Sequence, residues 1–282
     1  MSVSVVSPRL ANRRLAYGLT EMRERLGWSQ AQAAKAVGCG ISRIANVEVR
    51  RNVPSEELLA DLLRAYGRES ELSDFLALRE TAKQPPSQWR GVDRTAFIKG
   101  FDEFVELESS AGRIEGYEQR LVPGILQTRS YAAGVMTSSQ HPADLNRKLD
   151  VRARRQEALT RSTSPAHLWM VVEEQALDRS VGESVVMRGQ FDHLLELSDL
   201  KNVELQIAPT STGPHRGLIS SFVVLRFHSP RDPGLAAVET PVRTVFFEEE
   251  VNQFGQEMDL LRALALSQED SATLIAEKRK EV

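Results

Sequence analysis

The stretch Ser29–Glu48, SQAQAAKAVGCGISRIANVE, decides how the N-terminal part of the chain folds. Two short amphipathic segments flank a break at Gly38-Cys39-Gly40. Ser29 is placed to cap the first segment, since a hydroxyl oxygen there accepts an orphan backbone N–H. Ala33, Ala34 and Val37 fall on one helical face, and small alanines let a second helix approach closely. Gly38 suits a left-handed position just past a helix end, where a Cβ would clash. From near Gly40 a second segment repeats Ile41, Ile44, Val47 and Glu48 at roughly helical spacing and leaves Ser42, Arg43 and Asn46 elsewhere on its surface. A helix, a tight turn and a second short helix predict a helix-turn-helix, which lays its second helix in the DNA major groove.

Spacing alone also fits an ordinary helical hairpin in a bundle core. Charge favours the nucleic-acid reading. Residues 1–53 hold nine Lys/Arg and three Asp/Glu, formally +6, whereas the whole chain is −3, so residues 54–282 carry −9. Positive charge gathered on the segment with the helix-turn-helix pattern is the footprint of a phosphate binder.

The run Leu19–Tyr66, LTEMRERLGWSQAQAAKAVGCGISRIANVEVRRNVPSEELLADLLRAY, resembles the Cro/CI-type repressors, often called XRE. The resemblance implies an internal ion pair between Arg23 and Glu48. It places Gln30 at a phosphate and Ile41, Ser42, Arg43 and Asn46 at base-facing or groove-rim positions; Gly40, where the second segment starts, is counted with them as DNA-binding. The family pattern has Gly two residues after the Glu; this chain has Arg50, so the exit turn is expected to differ, with Arg50 and Arg51 as extra phosphate contacts. Ile41 is unusual at a base-facing site and reads either as a thymine-methyl contact or as core.

The chain is long enough for two domains at 282 residues, and its 41% hydrophobic and 27% charged composition is that of a globular protein. No run approaches ~18 consecutive apolar residues, so no membrane span is expected. The N-terminus is weakly apolar first and basic after, opposite to a signal peptide. One cysteine, Cys39, excludes an intramolecular disulfide and points to a cytoplasmic protein. At the turn it reads as filler, with a redox sensor as the alternative.

Helices are predicted over 9–26, from Pro54-Ser55 through Tyr66, and over 70–82. Gln84-Pro85-Pro86-Ser87 breaks helix and favours an extended path. This gives a helix-turn-helix domain at 1–83, a linker at 84–88 and a larger domain at 89–282. Beyond the linker, 97–111 reads as a helix whose Phe101, Phe104, Val105 and Glu108 share a face. Glu108 then needs a base, because an unpaired buried carboxylate is costly. Residues 144–161 form a basic helix. Its Arg152, Arg154 and Arg155 fit a solvated face, partners for Glu108 or Glu115, or a second nucleic-acid patch. Strands are predicted at 168–172, 203–207, 222–227 and 242–247, and helices at 183–200 and 256–266. The fold class is α+β: an all-α head, then a small mixed sheet with flanking helices.

The runs VPGILQTRSYA at 122–132, VRARRQEAL at 151–159, EEQALDRSVGESVVMRGQFDHLLELSDLKNVELQIAP at 173–209, GPHRGLISSFVVLRF at 213–227 and LRALALSQEDSATLIA at 261–276 resemble an antitoxin-like domain of unknown function found behind XRE heads in actinomycete regulators. The resemblance implies a regulator accompanied by a small protein encoded nearby. No P-loop, dinucleotide turn or nucleophile elbow is present, and His141, His167, His193 and His228 lack metal spacing. No enzyme activity, metal or cofactor is therefore expected. A cleft bounded by Glu173, Glu174, His215 and Arg216 is the candidate ligand or partner site, with loops that merely close the fold as the alternative. The expected function is a dimeric, sequence-specific regulator of transcription on double-stranded DNA, its C-terminal domain sensing a partner or ligand. The alternative is an antitoxin-like module acting mainly by binding a small partner protein.

Overall fold

Ser7 starts the first helix. Its hydroxyl accepts from the Leu10 N–H at 3.3 Å, and Pro8 takes the first helical position, where a missing N–H leaves nothing unsatisfied. In the computed structural model, which describes residues 6–85, 97–137, 142–229 and 231–282, this helix α1 spans Pro8–Arg25. It is followed by α2 (Gln30–Ala36), α3 (Ile41–Glu48), α4 (Glu56–Ala65) and α5 (Leu72–Ala82). Their inward faces meet in one core that includes Leu15, Leu19, Ala33, Ile44, Leu59 and Phe75. Gly18 is where α1 and α5 touch, for a Cβ there would lie 2.7 Å from Phe75 Cζ.

The described residues form two compact units. One holds residues 6–85 together with Ser229, Arg231 and Asp232; the other holds 97–137, 142–228 and 233–282. Inside the helical unit the buried Arg13 guanidinium donates to both Asp232 oxygens, at 3.0 and 2.8 Å, and Arg231 pairs with Glu21 and Glu71. Of the expected linker, residues 86–88 lie outside the described residues.

The second unit contains α6 (Phe101–Ser110), β1 (Arg113–Glu118), α7 (Arg129–Val135), α8 (Pro142–Thr160), β2 (His167–Glu173), α9 (Glu174–Asp178), α10 (Ser184–Ser198), β3 (Val203–Ala208), β4 (Phe222–Arg226), β5 (Leu235–Glu239), β6 (Thr244–Phe247), α11 (Val251–Leu264) and α12 (Gln268–Glu281). The sheet order is β3-β2-β1-β4-β5-β6. Strands β1, β2 and β3 run parallel, and the remaining pairs are antiparallel. Helices α7 and α8, then α9 and α10, supply the crossovers that parallel neighbours require. On one face Tyr117, Val171, Phe222 and Val224 pack under Val251, Met258 and Leu261 of α11. Helix α12 packs on β3 and α10.

Several expectations change. The helix expected over 97–111 begins only at Phe101, because Gly100 is left-handed (φ 85°) and Lys99 instead bridges to Arg243. Strands β1 and β5 and helix α12 were not predicted. The β1 sequence RIEGYE hides its strand: Glu115 is buried by ion pairs, and Gly116 leaves room for Met170, whose sulfur would lie 2.7 Å from an added Cβ. Glu108 does have its base, Arg155, at 2.6 and 2.9 Å, both side chains buried. Arg155 is thus not part of a solvated face. Glu115 is paired not from α8 but by Arg113 at 3.0 Å, Arg226 at 3.2 Å and Arg262, which lies 3.9 Å over the Trp169 ring.

Candidate nucleic-acid interface

Local sequence builds the two helices from their ends. Ser29 and Gln32 form a reciprocal capping box at the start of α2: the Ser29 N–H donates to Gln32 Oε1 at 2.7 Å, and the Gln32 N–H donates to Ser29 Oγ at 3.3 Å. Gly38 then turns the chain in the left-handed region at φ 69°. Gly40 is the N-cap of α3 and makes no side-chain cap. Ala33 and Ala34 of α2 and Ile44 and Val47 of α3 are buried, which turns Ile41, Ser42 and Arg43 outward and leaves Asn46 half-buried. Ile41 is 53% exposed, which removes the core reading of that residue. Val49, just past the helix, is also exposed.

The inner side of this pair is locked by charge. Arg23 of α1 donates from Nε and Nη2 to the two Glu48 oxygens at 2.6 and 2.9 Å, and from Nη1 to the Trp28 carbonyl at 2.7 Å. The hydrogen bond to Glu48 raises the Arg23 pKa above its ordinary value. Gln30, expected at a phosphate, donates its amide to Glu48 Oε2 at 2.8 Å. The physical reason is lone-pair arithmetic: a carboxylate gripped by one guanidinium still has acceptor capacity, and Gln30 takes it.

The outer contacts are these. Arg43 Nη2 donates to Ser55 Oγ at 3.0 Å, at the cap of α4. Arg51 Nη1 donates to Asn46 Oδ1 at 3.2 Å. Arg50 occupies the left-handed region at φ 62°, with its carbonyl accepting from Asn12 and its guanidinium 5.6 Å over the Tyr17 ring. The backbone at this exit turn therefore takes a conformation that favours glycine, and an arginine holds it. Formal charge overstates the basic surface. Arg13 and Arg23 are buried in bidentate pairs and Arg25 is paired with Glu21, so Lys35, Arg43, Arg50 and Arg51 supply the positive charge around α2 and α3.

In the other unit, two of the four expected cleft residues meet. Glu173 Oε1, at the end of β2, accepts from Tyr117 Oη at 2.8 Å and lies 3.1 Å from His215 Nε2. All three are buried or nearly so, and burial together with this bond pushes the Tyr117 hydroxyl pKa up. Glu174 turns instead to the Thr210 N–H and Lys278, while Arg216 projects into solvent 3.8 Å from Glu257. Among the described residues no three His, Cys, Asp or Glu side chains gather as a metal would need, and no helix is long and apolar enough to cross a membrane. Sequence reading passed over the Tyr117 contribution; its signal was a lone aromatic at the end of an unpredicted strand.

Comparison with known proteins agrees with this division. A family model described as a helix-turn-helix domain matches residues 14–76, which contain α2, α3 and the Arg23–Glu48 pair. No curated protein and no solved structure matches the chain. A second model covers residues 101–277, from the first turn of α6 into α12 and more than half of the 282 residues. Behind its helix-turn-helix, the chain thus belongs to the family defined by the domain of unknown function DUF5753.

Proposed function

We propose that this protein is a cytoplasmic, sequence-specific transcriptional regulator of the Cro/CI type, with no catalytic activity. It binds double-stranded DNA as a homodimer through α3, and its C-terminal unit receives the regulatory input from a ligand or a small partner protein. The supporting observation is the outward face of α3. Ile41, Ser42, Arg43 and Asn46 stand on a helix whose inner face is fixed by Ile44, Val47 and the Arg23–Glu48 pair. Rigid presentation of short polar side chains and one aliphatic is what direct readout of base edges and thymine methyls requires. Dimerisation follows because one short helix reads few bases, whereas paired heads read half-sites about 34 Å apart.

The test separates base reading from phosphate holding. Asn46→Ala should flatten sequence preference, removing about 1–3 kcal/mol of discrimination at one base pair. Arg51→Ala should weaken all sequences alike and make the salt slope shallower by about 1. Mobility-shift titrations on selected and scrambled duplexes at several salt concentrations read both. If the wild-type chain binds selected and scrambled DNA equally, the assignment fails.

A second reading, an antitoxin-like module whose main act is to hold a small partner protein, is favoured by one observation. The C-terminal unit exposes Leu218, Ile219, Leu260 and Leu264. Operator binding measured with and without the protein encoded beside this one distinguishes the two.

A further inference from the structure

Helix α8 carries two arginines one turn apart with opposite fates. Arg155 is gripped by Glu108 through Nε and Nη2 and lies over the rings of Phe101 and Phe104, at 5.7 and 5.3 Å. Arg152, at i−3 on the same face, makes no hydrogen bond and no ion pair among the described residues, although it is only partly exposed. We propose that Arg152, laid over Gly124 beside Arg155, anchors a binding site for a carboxylate.

The geometry of the Gly124 corner carries this. A Cβ added there would lie 1.8 Å from Arg152 Nη1 and 2.8 Å from Arg155 Nη1, so both guanidiniums rest directly on the glycine backbone. The loop under them is held from several sides. Gln127 Nε2 donates to the Val122 carbonyl at 2.7 Å, Gln156 Nε2 to the Gln127 carbonyl at 2.6 Å, and Gln190 Nε2 to the Leu126 carbonyl at 2.8 Å. The Thr128 N–H returns to Gln190 Oε1 at 2.7 Å, and the Val122 N–H donates to Tyr131 Oη at 3.2 Å. The part-buried Gln156 of α8 and the buried Gln190 of α10 thus fix the loop, which is the rigid support a binding site needs.

Electrostatics selects the ligand. Burial first, and then repulsion from Arg155, lowers the Arg152 pKa to about 10, which still leaves it charged at neutral pH. Arg152 is thus held beside a like charge with no described carboxylate bonded to its guanidinium. Arg155 and Glu108 already neutralise each other, so the Arg152 fork is the one left without a bonded partner among the described residues. Glu239, Glu108 and Glu118 act on Arg152 from a distance, and this negative charge penalises a dianion such as phosphate more than a single carboxylate. The planar guanidinium fork matches a carboxylate with two parallel hydrogen bonds. The carboxylate can come from a small acid or from the C-terminus of a partner polypeptide. Either source fits a site for input to this unit, and neither depends on whether α3 reads DNA.

Arginine Nε–Hε NMR spectra of the full-length chain test this, with sodium acetate titrated against sodium chloride at equal ionic strength. One resonance, absent from the Arg152→Met spectrum, should move saturably with acetate and not with chloride. A short peptide with a free C-terminus, run beside its amidated form, separates the sources. A shift with the free peptide alone identifies a polypeptide terminus, and a shift with acetate alone identifies a small acid. Arg152→Met should melt no lower than wild type without acetate, since it breaks no hydrogen bond or ion pair among the described residues, and should lose the acetate-dependent rise in Tm. No saturable shift with any carboxylate, an equal shift in chloride, or an Arg152→Met variant that melts well below wild type each overturns the proposal.

Discussion

Glu48→Ala removes the acceptor on which three donors converge: Arg23 Nε at 2.6 Å, Arg23 Nη2 at 2.9 Å and Gln30 Nε2 at 2.8 Å. The relevant scale depends on burial. One-sided removal from a buried pair costs about 3–5 kcal/mol, whereas an exposed pair contributes about 0–1. The Arg23 and Glu48 side chains are 10% and 8% exposed, which places them in the first class. The orphaned guanidinium keeps the Trp28 carbonyl at 2.7 Å and can lean on Glu24, so the low end, about 3 kcal/mol, is expected. At about 1.4 kcal/mol per factor of ten, that is about a hundredfold increase in the open population. Hydrogen exchange read on peptides from α1, α2 and α3 of the full-length chain reports this locally, without requiring the helical unit to be cut out. Glu48→Gln keeps one acceptor oxygen and should lose roughly half as much protection on the same scale. The Arg23 pKa is raised, so its contribution is complete at any pH below the unfolded arginine value, and the effect should not vary between pH 6 and 8. Protection in Glu48→Ala within about threefold of wild type would place the pair among surface pairs and refute the reasoning.

Arg50→Gly relieves an arginine held at φ 62°, worth about 1–2 kcal/mol, and loses its stacking on Tyr17, worth about 0.5–1. The helical unit should gain roughly 0.5–1 kcal/mol in exchange protection while DNA affinity falls and the salt slope drops by about 1. A loss of protection would contradict the strain reading. Glu115→Gln breaks the hub of Arg113, Arg226 and Arg262 and should destabilise the C-terminal unit by about 3–5 kcal/mol in urea melts. Burial pushes the Glu115 carboxyl up, but these three arginines together hold it below its ordinary value of 4.5. Its contribution is therefore full above about that pH and is lost as pH falls below it, so wild type should lose stability on acidification more steeply than Glu115→Gln.

The helical unit was legible because its signals are local. A cap at Ser29, a left-handed glycine at 38 and apolar residues three and four apart are all written within twenty residues. The second unit was legible where strands are apolar, as in LWMVV, and illegible where tertiary partners make a polar strand bearable. RIEGYE is the clearest case: Glu115 alone would argue against a buried strand, and only three arginines from positions 113, 226 and 262 make its burial tolerable. The candidate cleft was half legible for the same reason. Proximity of Glu173 to a predicted strand end was readable, but the choice between Glu173 and Glu174 turns on where strand gives way to helix: Glu173 ends β2 and meets His215, whereas Glu174 opens α9 and meets Lys278.

Charge shows how a correct sum can overstate a surface. The excess of +6 in residues 1–53 pointed to a phosphate-binding head, yet two of its arginines are structural clamps, Arg13 on Asp232 and Arg23 on Glu48. The same sorting applies on α8, where three arginines in four positions looked interchangeable in sequence. Arg155 found Glu108 and became core, whereas Arg152 did not and remained charged, partly buried and unpaired among the described residues. What separates a clamp from a site is whether the fold itself supplies the counter-ion. Where it does, removing the arginine should unfold its surroundings; where it does not, removal should leave the fold intact and abolish only a response to something from outside. The contrast between Glu48→Ala and Arg152→Met measures that difference within one chain. The first should lose protection about a hundredfold, and the second should lose none while its acetate response disappears.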